Sequence, residues 1–175
     1  MIPEGYEIGP AQPHELGALE RIELRAAALF PPDDLAPELR VEGLSLAFFE
    51  QAAAAGRLFV ARTREPSVPV GFAVAMLLDG SAHLHEMDVL PDHGRRGLGG
   101  ALVKRIAQWA RDAGLRSLTL TTFRHLAWNA PFYARLGFEE IPAAEIGPQL
   151  RDALAKEAAA GLAPDKRVAM RRALG

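Results

Sequence analysis

The sequence predicts an α/β domain in which a mixed β-sheet is covered by helices. Segments with the two-residue alternation of strands are interspersed with segments of helical periodicity along the whole chain. The composition, 49% hydrophobic and 24% charged residues, is typical of a globular protein. The 175 residues suffice for one domain with a substantial buried core. These observations favour an ordered, compact chain over a disordered one.

Proline and glycine residues mark where each predicted element begins and ends. The stripe formed by Leu98, Ile106 and Trp109 predicts an amphipathic helix that stops at Gly114. The Asp79-Gly80 pair predicts a tight hairpin between two strands. Strands are predicted at 6–9, 57–63, 70–78, 81–89, 115–121, directly after Gly137, and at 167–174. Helices are predicted at 13–30, 37–55, 97–113, 129–136 and 145–160.

The absence of cysteine excludes disulfides, thiolate metal sites and a cysteine nucleophile. The chain also has no apolar run of the ~18 residues that a membrane-spanning helix needs. Residues 1–10 lack the basic and apolar regions of a signal peptide. We therefore expect a soluble cytoplasmic protein without a membrane partner.

Charge is balanced overall but unevenly distributed. The net charge is −2, yet residues 1–50 contain ten acidic and three basic residues, and residues 94–124 contain seven basic residues and one acidic residue. The overall balance argues against a general nucleic-acid-binding protein. The asymmetry suggests one cationic and one anionic ligand, although two solvated helix faces would give the same pattern.

A glycine-rich segment between a predicted strand and a predicted helix indicates a phosphate site. Glycines allow the main chain to approach a ligand and to adopt positive φ, and the first amides of the next helix are free to bind an anion. Arginines beside them add positive charge. The segment contains Gly94, Arg95, Arg96, Gly97, Leu98, Gly99 and Gly100. A glycine-rich connection without a ligand is the alternative.

Two familiar phosphate loops do not fit this segment. A Walker loop requires Lys and then Ser or Thr after Gly99, where Gly100 and Ala101 stand. The dinucleotide fingerprint requires Gly or Ala at the position of Leu102.

Val89-x-Pro91, followed by Arg95-Arg96-Gly97-Leu98-Gly99, resembles the acetyl-CoA-binding motif of the GNAT superfamily of N-acetyltransferases. Asn129-Ala-Pro-Phe-Tyr133, continuing to Gly137-Phe138, resembles the family's second signature. Gly94 stands where the family has Gln or Arg, which leaves Arg95 or Arg96 to supply the cation. The resemblance implies a single GNAT domain over residues 1–175. It also implies a twisted, mostly antiparallel sheet of six or seven strands with helices on both faces.

The resemblance also implies roles for individual residues. The strand residues Met87, Asp88 and Val89 would present their backbone to the pantetheine arm of acetyl-CoA, the co-substrate. The backbone from Arg95 through Gly100 would hold the diphosphate. Asn129 would contact the cofactor arm, and Tyr133 would lie near the thioester sulfur. The expected partner is a small-molecule or peptide amine, and the expected assembly is a monomer or homodimer.

Acetylation of an amine requires a proton acceptor, because a lysine-like amine is neutral in only ~1 part in 2,500 at pH 7. His83 and His85 lie two residues apart and share one strand face. Within the superfamily, Ala82-His83-Leu84-His85 is similar to the strand of arylalkylamine N-acetyltransferase that carries a proton relay. We predict that this pair is the base, with Glu86 next. Two satisfied core histidines are the alternative, and no third ligand supports a metal site.

Tyr133 is the candidate general acid for the departing thiolate, and aromatic packing is its alternative role. Without cysteine, an acetyl-cysteine intermediate is impossible, which favours direct attack in a ternary complex. The leading hypothesis is therefore an acetyl-CoA-dependent N-acetyltransferase. A non-catalytic acyl-CoA sensor and a protein that binds another nucleotide at the same turn are the alternatives.

Overall fold

The structure is a computed structural model that describes residues 1–175. Its strands are β1 Tyr6–Pro10, β2 Leu58–Thr63, β3 Pro69–Leu78, β4 Ser81–Val89, β5 Ser117–Phe123, β6 Glu139–Glu140 and β7 Arg167–Ala173. Its α-helices are α1 Leu16–Ala27, α2 Leu46–Ala54, α3 Leu98–Asp112, α4 Ala130–Arg135 and α5 Pro148–Ala159. No helix is both long enough and apolar enough to span a membrane.

All seven strands form one sheet in the order β1-β2-β3-β4-β5-β7-β6. β4 and β5 are parallel, with pairs from Ala82–Leu118 to Leu84–Leu120. β1 with β2, β2 with β3, β5 with β7 and β6 with β7 are antiparallel. The parallel pair is connected by α3, as a parallel crossover requires. The predicted mixed, mostly antiparallel sheet is therefore confirmed.

The chain divides into two compact units, and both β3 and β4 contribute residues to each. The first unit contains residues 1–75 and 86–109. The second contains residues 76–85 and 110–175. That the chain functions as a single domain stays a prediction.

In the first unit, helices cover both faces of the sheet. Ile22 of α1 and Phe49 of α2 pack in one buried cluster with Val60 of β2. The guanidinium of Arg105 in α3 lies 4.3 Å from the ring centroid of Phe59, the strand neighbour of Val60. Because successive strand residues face opposite sides, α3 covers the other face.

In the second unit, the β3–β4 hairpin is connected to the start of α5. Asp79 and Gly80 both have positive φ, 51° and 72°, as the predicted tight turn requires. The Asp79 carboxylate accepts hydrogen bonds from the amides of Gln149 at 3.0 Å and Leu150 at 2.9 Å. Gly147 lies so close that an added Cβ would collide with Asp79. Asp79 therefore caps α5 from a position 70 residues away.

The predicted helix over 37–55 is wrong in its first half. A short 3-10 turn at Glu38–Arg40 is followed by irregular chain, and α2 begins only at Leu46. Ser45 caps α2 by accepting a hydrogen bond from the amide of Phe48 at 3.2 Å. Within the irregular interval before it, the amide of Leu44 donates a hydrogen bond to Glu23 of α1 at 2.8 Å. The predicted helix over 13–30 is shorter too, since α1 spans Leu16–Ala27.

Candidate active site

The glycine-rich turn begins where β4 ends and includes a 3-10 turn at Pro91–His93. Two residues then have left-handed backbone, Arg95 with φ 56° and Gly97 with φ 88°. The sequence analysis attributed positive φ to the glycines as a group. That was wrong in detail, because Gly97 is the one glycine of the turn that has it, while Gly94 has φ −65° and Arg95 adopts it without being glycine.

The start of α3 presents main-chain amides that have no partner within the helix. The first amide with a helical hydrogen bond is that of Ala101, which donates to Gly97 at 3.1 Å. The amides of Leu98, Gly99 and Gly100 precede it, at the positive end of a 15-residue helix. Residues 97–100 therefore have the chemistry of an anion site.

Side chains brace this turn from β1 and α1. The Tyr6 hydroxyl lies 2.9 Å from Nδ1 of His93, and Arg25 binds Asp92 at 3.0 Å. Arg96 donates to the carbonyl of Asp92 at 3.2 Å, and both Arg95 and Arg96 are exposed. Tyr6 and Arg25 were not identified from the sequence, because their partners lie far away along the chain.

A glycine at position 94 has a local steric reason. A Cβ at Gly94 would lie 3.1 Å from the carbonyl oxygen of Pro91, which is tighter than ordinary contact. The motif that this segment resembles has Gln or Arg at this position, where a side chain would meet that carbonyl oxygen.

In the second unit, His83 and His85 lie side by side, with ring centroids 6.5 Å apart. His83 is 2% exposed, and its Nδ1 lies 3.0 Å from the hydroxyl of Thr119. That hydroxyl donates to the carbonyl of Ala82 at 3.3 Å, so it accepts from Nδ1–H, which leaves Nε2 as the basic nitrogen. Burial, with a smaller effect from His85, lowers the pKa of His83 to about 4. His83 is therefore neutral at pH 7.

His85 is the accessible member of the pair. Its side chain is exposed, yet the surrounding protein lowers its pKa, and the negative charge of Glu157 opposes that effect. Glu157 of α5 accepts hydrogen bonds from Nε of Arg167 at 3.0 Å and from the hydroxyl of Thr121. Arg167 also lies over the ring of Phe123, 4.7 Å from its centroid. Sequence reasoning missed Glu157, since nothing within its predicted helix distinguished it from the other acidic residues there.

The second signature forms the loop before α4 and α4 itself. Oδ1 of Asn129 accepts hydrogen bonds from the hydroxyl of Thr122 at 2.8 Å and from the amide of Phe123 at 3.3 Å. The side-chain carbonyl of Asn129 therefore orders the end of β5. Tyr133 is 9% exposed and packs edge-on against Phe132 and Phe138, with centroids 5.1 and 5.6 Å away. The structure therefore gives the ring of Tyr133 a packing role.

The β4 residues beyond the histidines belong to the first unit. Glu86 is half-buried and accepts a hydrogen bond from the amide of Met87 at 3.4 Å. Oδ2 of Asp88 is enclosed and has no hydrogen-bond partner. Burial, then the charges of Glu86 and Glu23, raises the pKa of Asp88 well above its usual range. The sequence analysis assigned only the backbone of Asp88 and gave its side chain no role.

A sequence model described as the acetyltransferase (GNAT) family matches residues 20–138, which is more than half of the chain. The chain belongs to the GNAT family. It is therefore an acyltransferase by family, as the two sequence signatures predicted. The match extends over the glycine-rich turn, both histidines and the Asn129–Phe138 segment.

Solved structures share the GNAT fold over nearly the whole chain. Ard1 from Thermoplasma volcanium has a TM-score of 0.67 at 16% identity, over 98% of this chain and 99% of that one. The ribosomal-protein-S18-alanine N-acetyltransferase from Escherichia coli has a TM-score of 0.65 at 20% identity, over 97% and 94%. Rv2747 from Mycobacterium tuberculosis, solved with CoA and NLQ, has a TM-score of 0.68 at 20% identity, over 97% and 99%. At these identities the likeness shows the fold alone.

Proposed function

We propose that this GNAT protein transfers the acetyl group of acetyl-CoA to a primary amine by direct attack in a ternary complex. The observation that carries the proposal is the row of amides at the start of α3, directly after the left-handed residues Arg95 and Gly97. A diphosphate needs such donors, and the structure of Rv2747, whose fold is similar to that of this chain, contains CoA. The proposed setting is the cytoplasm, without a nucleic-acid or membrane partner, as a monomer or homodimer.

The cofactor roles follow the main chain. The amides of Leu98, Gly99 and Gly100 would bind the diphosphate, with Arg95, Arg96 and Gly97 completing the turn around it. The backbone of Met87, Asp88 and Val89 would pair with the pantetheine arm. The side-chain nitrogen of Asn129 would contact the arm, since Oδ1 already accepts two hydrogen bonds. The bound thioester supplies the acyl group.

His85 is the proposed proton acceptor. Deprotonation of a lysine-like amine at pH 7 costs ~4.6 kcal/mol. The base must therefore be accessible to the amine and have a pKa that allows it to accept the proton. The His85 side chain is exposed, and the negative charge of Glu157 counteracts the lowering of its pKa that desolvation by surrounding protein atoms causes. His83, with a pKa of about 4, is suited to accept a hydrogen bond at Nε2 and orient a water rather than to retain a proton. Glu86 is the next candidate.

Tyr133 is the proposed hydrogen-bond donor to the departing sulfur. On reference values the phenol (~10) is a weaker acid than a thiol (~8.5), so complete proton transfer is uphill by ~2 kcal/mol. The hydroxyl would therefore stabilise developing charge without losing its proton completely. Packing between Phe132 and Phe138 fixes the ring, which reduces the cost of that alignment.

Cofactor binding is tested at Gly99. Replacement of Gly99 with leucine is expected to abolish acetyl-CoA binding in isothermal titration, because a side chain would occupy the space that the diphosphate needs. Gly17→Leu is the matched control, since an added Cβ there meets nothing within 4 Å. Normal acetyl-CoA affinity in Gly99→Leu would overturn the assignment of the turn.

Catalysis is tested by thiol release from acetyl-CoA with a panel of amines. Tyr133→Phe is expected to lower kcat with little change in the Kd for acetyl-CoA. Binding without thiol release from any amine would contradict transfer and indicate an acyl-CoA sensor. ATP binding in place of CoA would indicate a different nucleotide ligand.

A further inference from the structure

The glycine-rich turn contains strained main chain between two fixed points. Arg95 has a left-handed φ of 56°, a conformation that is costly for a residue with a side chain and persists only where the surrounding structure imposes it. On one side of Arg95, Leu98 is 1% exposed, so α3 begins at an anchored residue. On the other side, a 3-10 turn ends at His93. The direction of the free amides of α3 therefore depends on what holds His93.

A buried tyrosine of β1 holds His93. The Tyr6 hydroxyl lies 2.9 Å from Nδ1 of His93, and the two ring centroids are 5.7 Å apart with the ring planes at 86°. Tyr6 is 6% exposed, so water competes little for this hydrogen bond. The two residues are 87 positions apart along the chain, and their contact connects the turn to the edge strand of the sheet.

Tyr6 itself is fixed by its neighbours. It pairs with Thr63 at the end of β2, and its carbonyl accepts a hydrogen bond from Nε of Arg64 at 3.2 Å. Its amide donates to the carbonyl of Pro3 at 3.3 Å. Pro3 also reaches the turn, since a Cβ on Gly97 would lie 3.6 Å from Cγ of its ring. Tyr6 therefore has a defined position from which to orient His93.

A second side-chain contact to the turn is much more exposed. Arg25 of α1 binds Asp92 at 3.0 Å, and the two side chains are 57% and 75% exposed. Such a pair contributes little, because solvent screens the charges and both side chains lose freedom. The hydrogen bond between Tyr6 and His93 is therefore the better candidate for control of the turn.

We propose that the Tyr6–His93 hydrogen bond is a positioning contact that sets the affinity of the turn for the diphosphate of CoA; this inference rests on the proposed function. In this role Tyr6 acts through His93 rather than by contact with the cofactor. The held imidazole keeps Gly94 and Arg95 in the conformation that directs the amides of α3 toward one point. Without the hydroxyl, the turn populates conformations in which those amides diverge, and binding must first restore the competent one.

The test compares two acetyl donors in the thiol-release assay, acetyl-CoA and S-acetyl-pantetheine, which lacks the diphosphate. In Tyr6→Phe we expect kcat/KM for acetyl-CoA to fall about 5-fold, the effect of one neutral hydrogen bond, with kcat unchanged. The kcat/KM for S-acetyl-pantetheine should not change, because that donor does not use the turn. Isothermal titration of the full chain with CoA should show the same loss of affinity.

Two further variants separate this contact from other effects on the turn. His93→Phe removes the acceptor, so adding Tyr6→Phe to it should cause no further loss of CoA affinity. Arg25→Gln breaks the exposed pair with Asp92 and is the matched control. It should change CoA affinity by less than about 2-fold.

Wild-type CoA affinity in Tyr6→Phe would overturn the inference while the proposed function stands. An equal loss with both acetyl donors would also overturn it, because the contact would then stabilise the whole fold. A further loss when Tyr6→Phe is added to His93→Phe would show that Tyr6 does not act through His93. CoA binding that weakens in Tyr6→Phe, in a chain that releases no thiol with any amine, would refute acetyl transfer and leave the positioning role. Absence of CoA binding by the wild-type chain would overturn both.

Discussion

Glu15 and Asp88 are both acids of the first unit with enclosed carboxyl oxygens, and their surroundings are opposite. The Glu15 side chain is 3% exposed and accepts hydrogen bonds from Nε and Nη2 of Arg62 at 2.6 and 2.7 Å. The amide of Gln12 donates a further bond at 2.7 Å. Oδ2 of Asp88 has no such donor. The fold therefore compensates one buried carboxylate completely and leaves the other incomplete.

The two pKa values report this difference. Burial alone would raise the pKa of Glu15, but hydrogen bonds from Arg62 and Gln12 lower it below its usual value. Burial and two acidic neighbours raise the pKa of Asp88. The Glu15–Arg62 ion pair has a structural role, because it joins the Pro13–Glu15 turn to β2.

The largest expected effect follows from breaking the completed pair. Arg62→Met leaves the Glu15 carboxylate buried without its cation and should lower the free energy of unfolding by about 3–5 kcal/mol in urea denaturation. The double variant Glu15→Leu with Arg62→Met should recover most of the loss, since no buried charge remains. A loss below about 1 kcal/mol in Arg62→Met would show that the pair is not architectural.

Asp88→Asn should change the free energy of unfolding in the opposite direction, by stabilising the fold. The amide has the shape of the carboxyl without its charge, so the free energy of unfolding at pH 8 should increase by about 1–3 kcal/mol. Urea denaturation of the ligand-free wild-type and variant chains measures this change in the free energy of unfolding. Destabilisation by this substitution would show that the carboxyl makes favourable contacts in the fold.

The pH dependence of stability should separate the two acids. Because Asp88 binds its proton more tightly when folded, its contribution to stability declines as pH rises above about 3.8, its ordinary value. Because Glu15 binds its proton less tightly when folded, its contribution is present above its ordinary value of 4.5 and is lost as pH falls. The gain from Asp88→Asn should therefore grow with pH in a series of urea midpoints. The loss in Glu15→Gln should shrink toward acid pH, and parallel curves for the two variants would contradict both assignments.

Glu157 is paired with an arginine, as Glu15 is, but it is more exposed. Its replacement should therefore have the smallest effect on stability. Its side chain and that of Arg167 are 22% and 11% exposed, so Glu157→Gln should cost about 1 kcal/mol. Loss of the negative charge that raises the pKa of His85 should move the acidic limb of the pH–rate profile to lower pH. Glu140→Gln, which breaks the exposed pair with Arg124, is the control. An unchanged profile in Glu157→Gln would separate Glu157 from the proposed base.

The strands and the glycine-rich turn could be predicted from the sequence because their signals are local. Alternation identified β4, and the Asp79-Gly80 pair identified its hairpin. The error at residues 37–55 arose because the apolar periodicity was extended back through a segment in which Leu44 binds Glu23, distant along the chain, and in which Ser45 caps the start of α2. Neither the effect of Glu23 on Asp88 nor the influence of Glu157 on His85 could be predicted, because these residues are also distant from each other along the chain. Alternation placed His83 on a face, but only pairing with β5 buries it against Thr119.

The cap that Asp79 places on α5 limits how this protein can be engineered. The tip of the β3–β4 hairpin has the polar, glycine-containing sequence that usually tolerates inserted peptides or affinity tags. Here such an insertion would detach the amino terminus of the helix that carries Glu157. Acid–base chemistry would change although no reacting group had been altered. A fusion partner is better introduced in the exposed segment around residues 65–67.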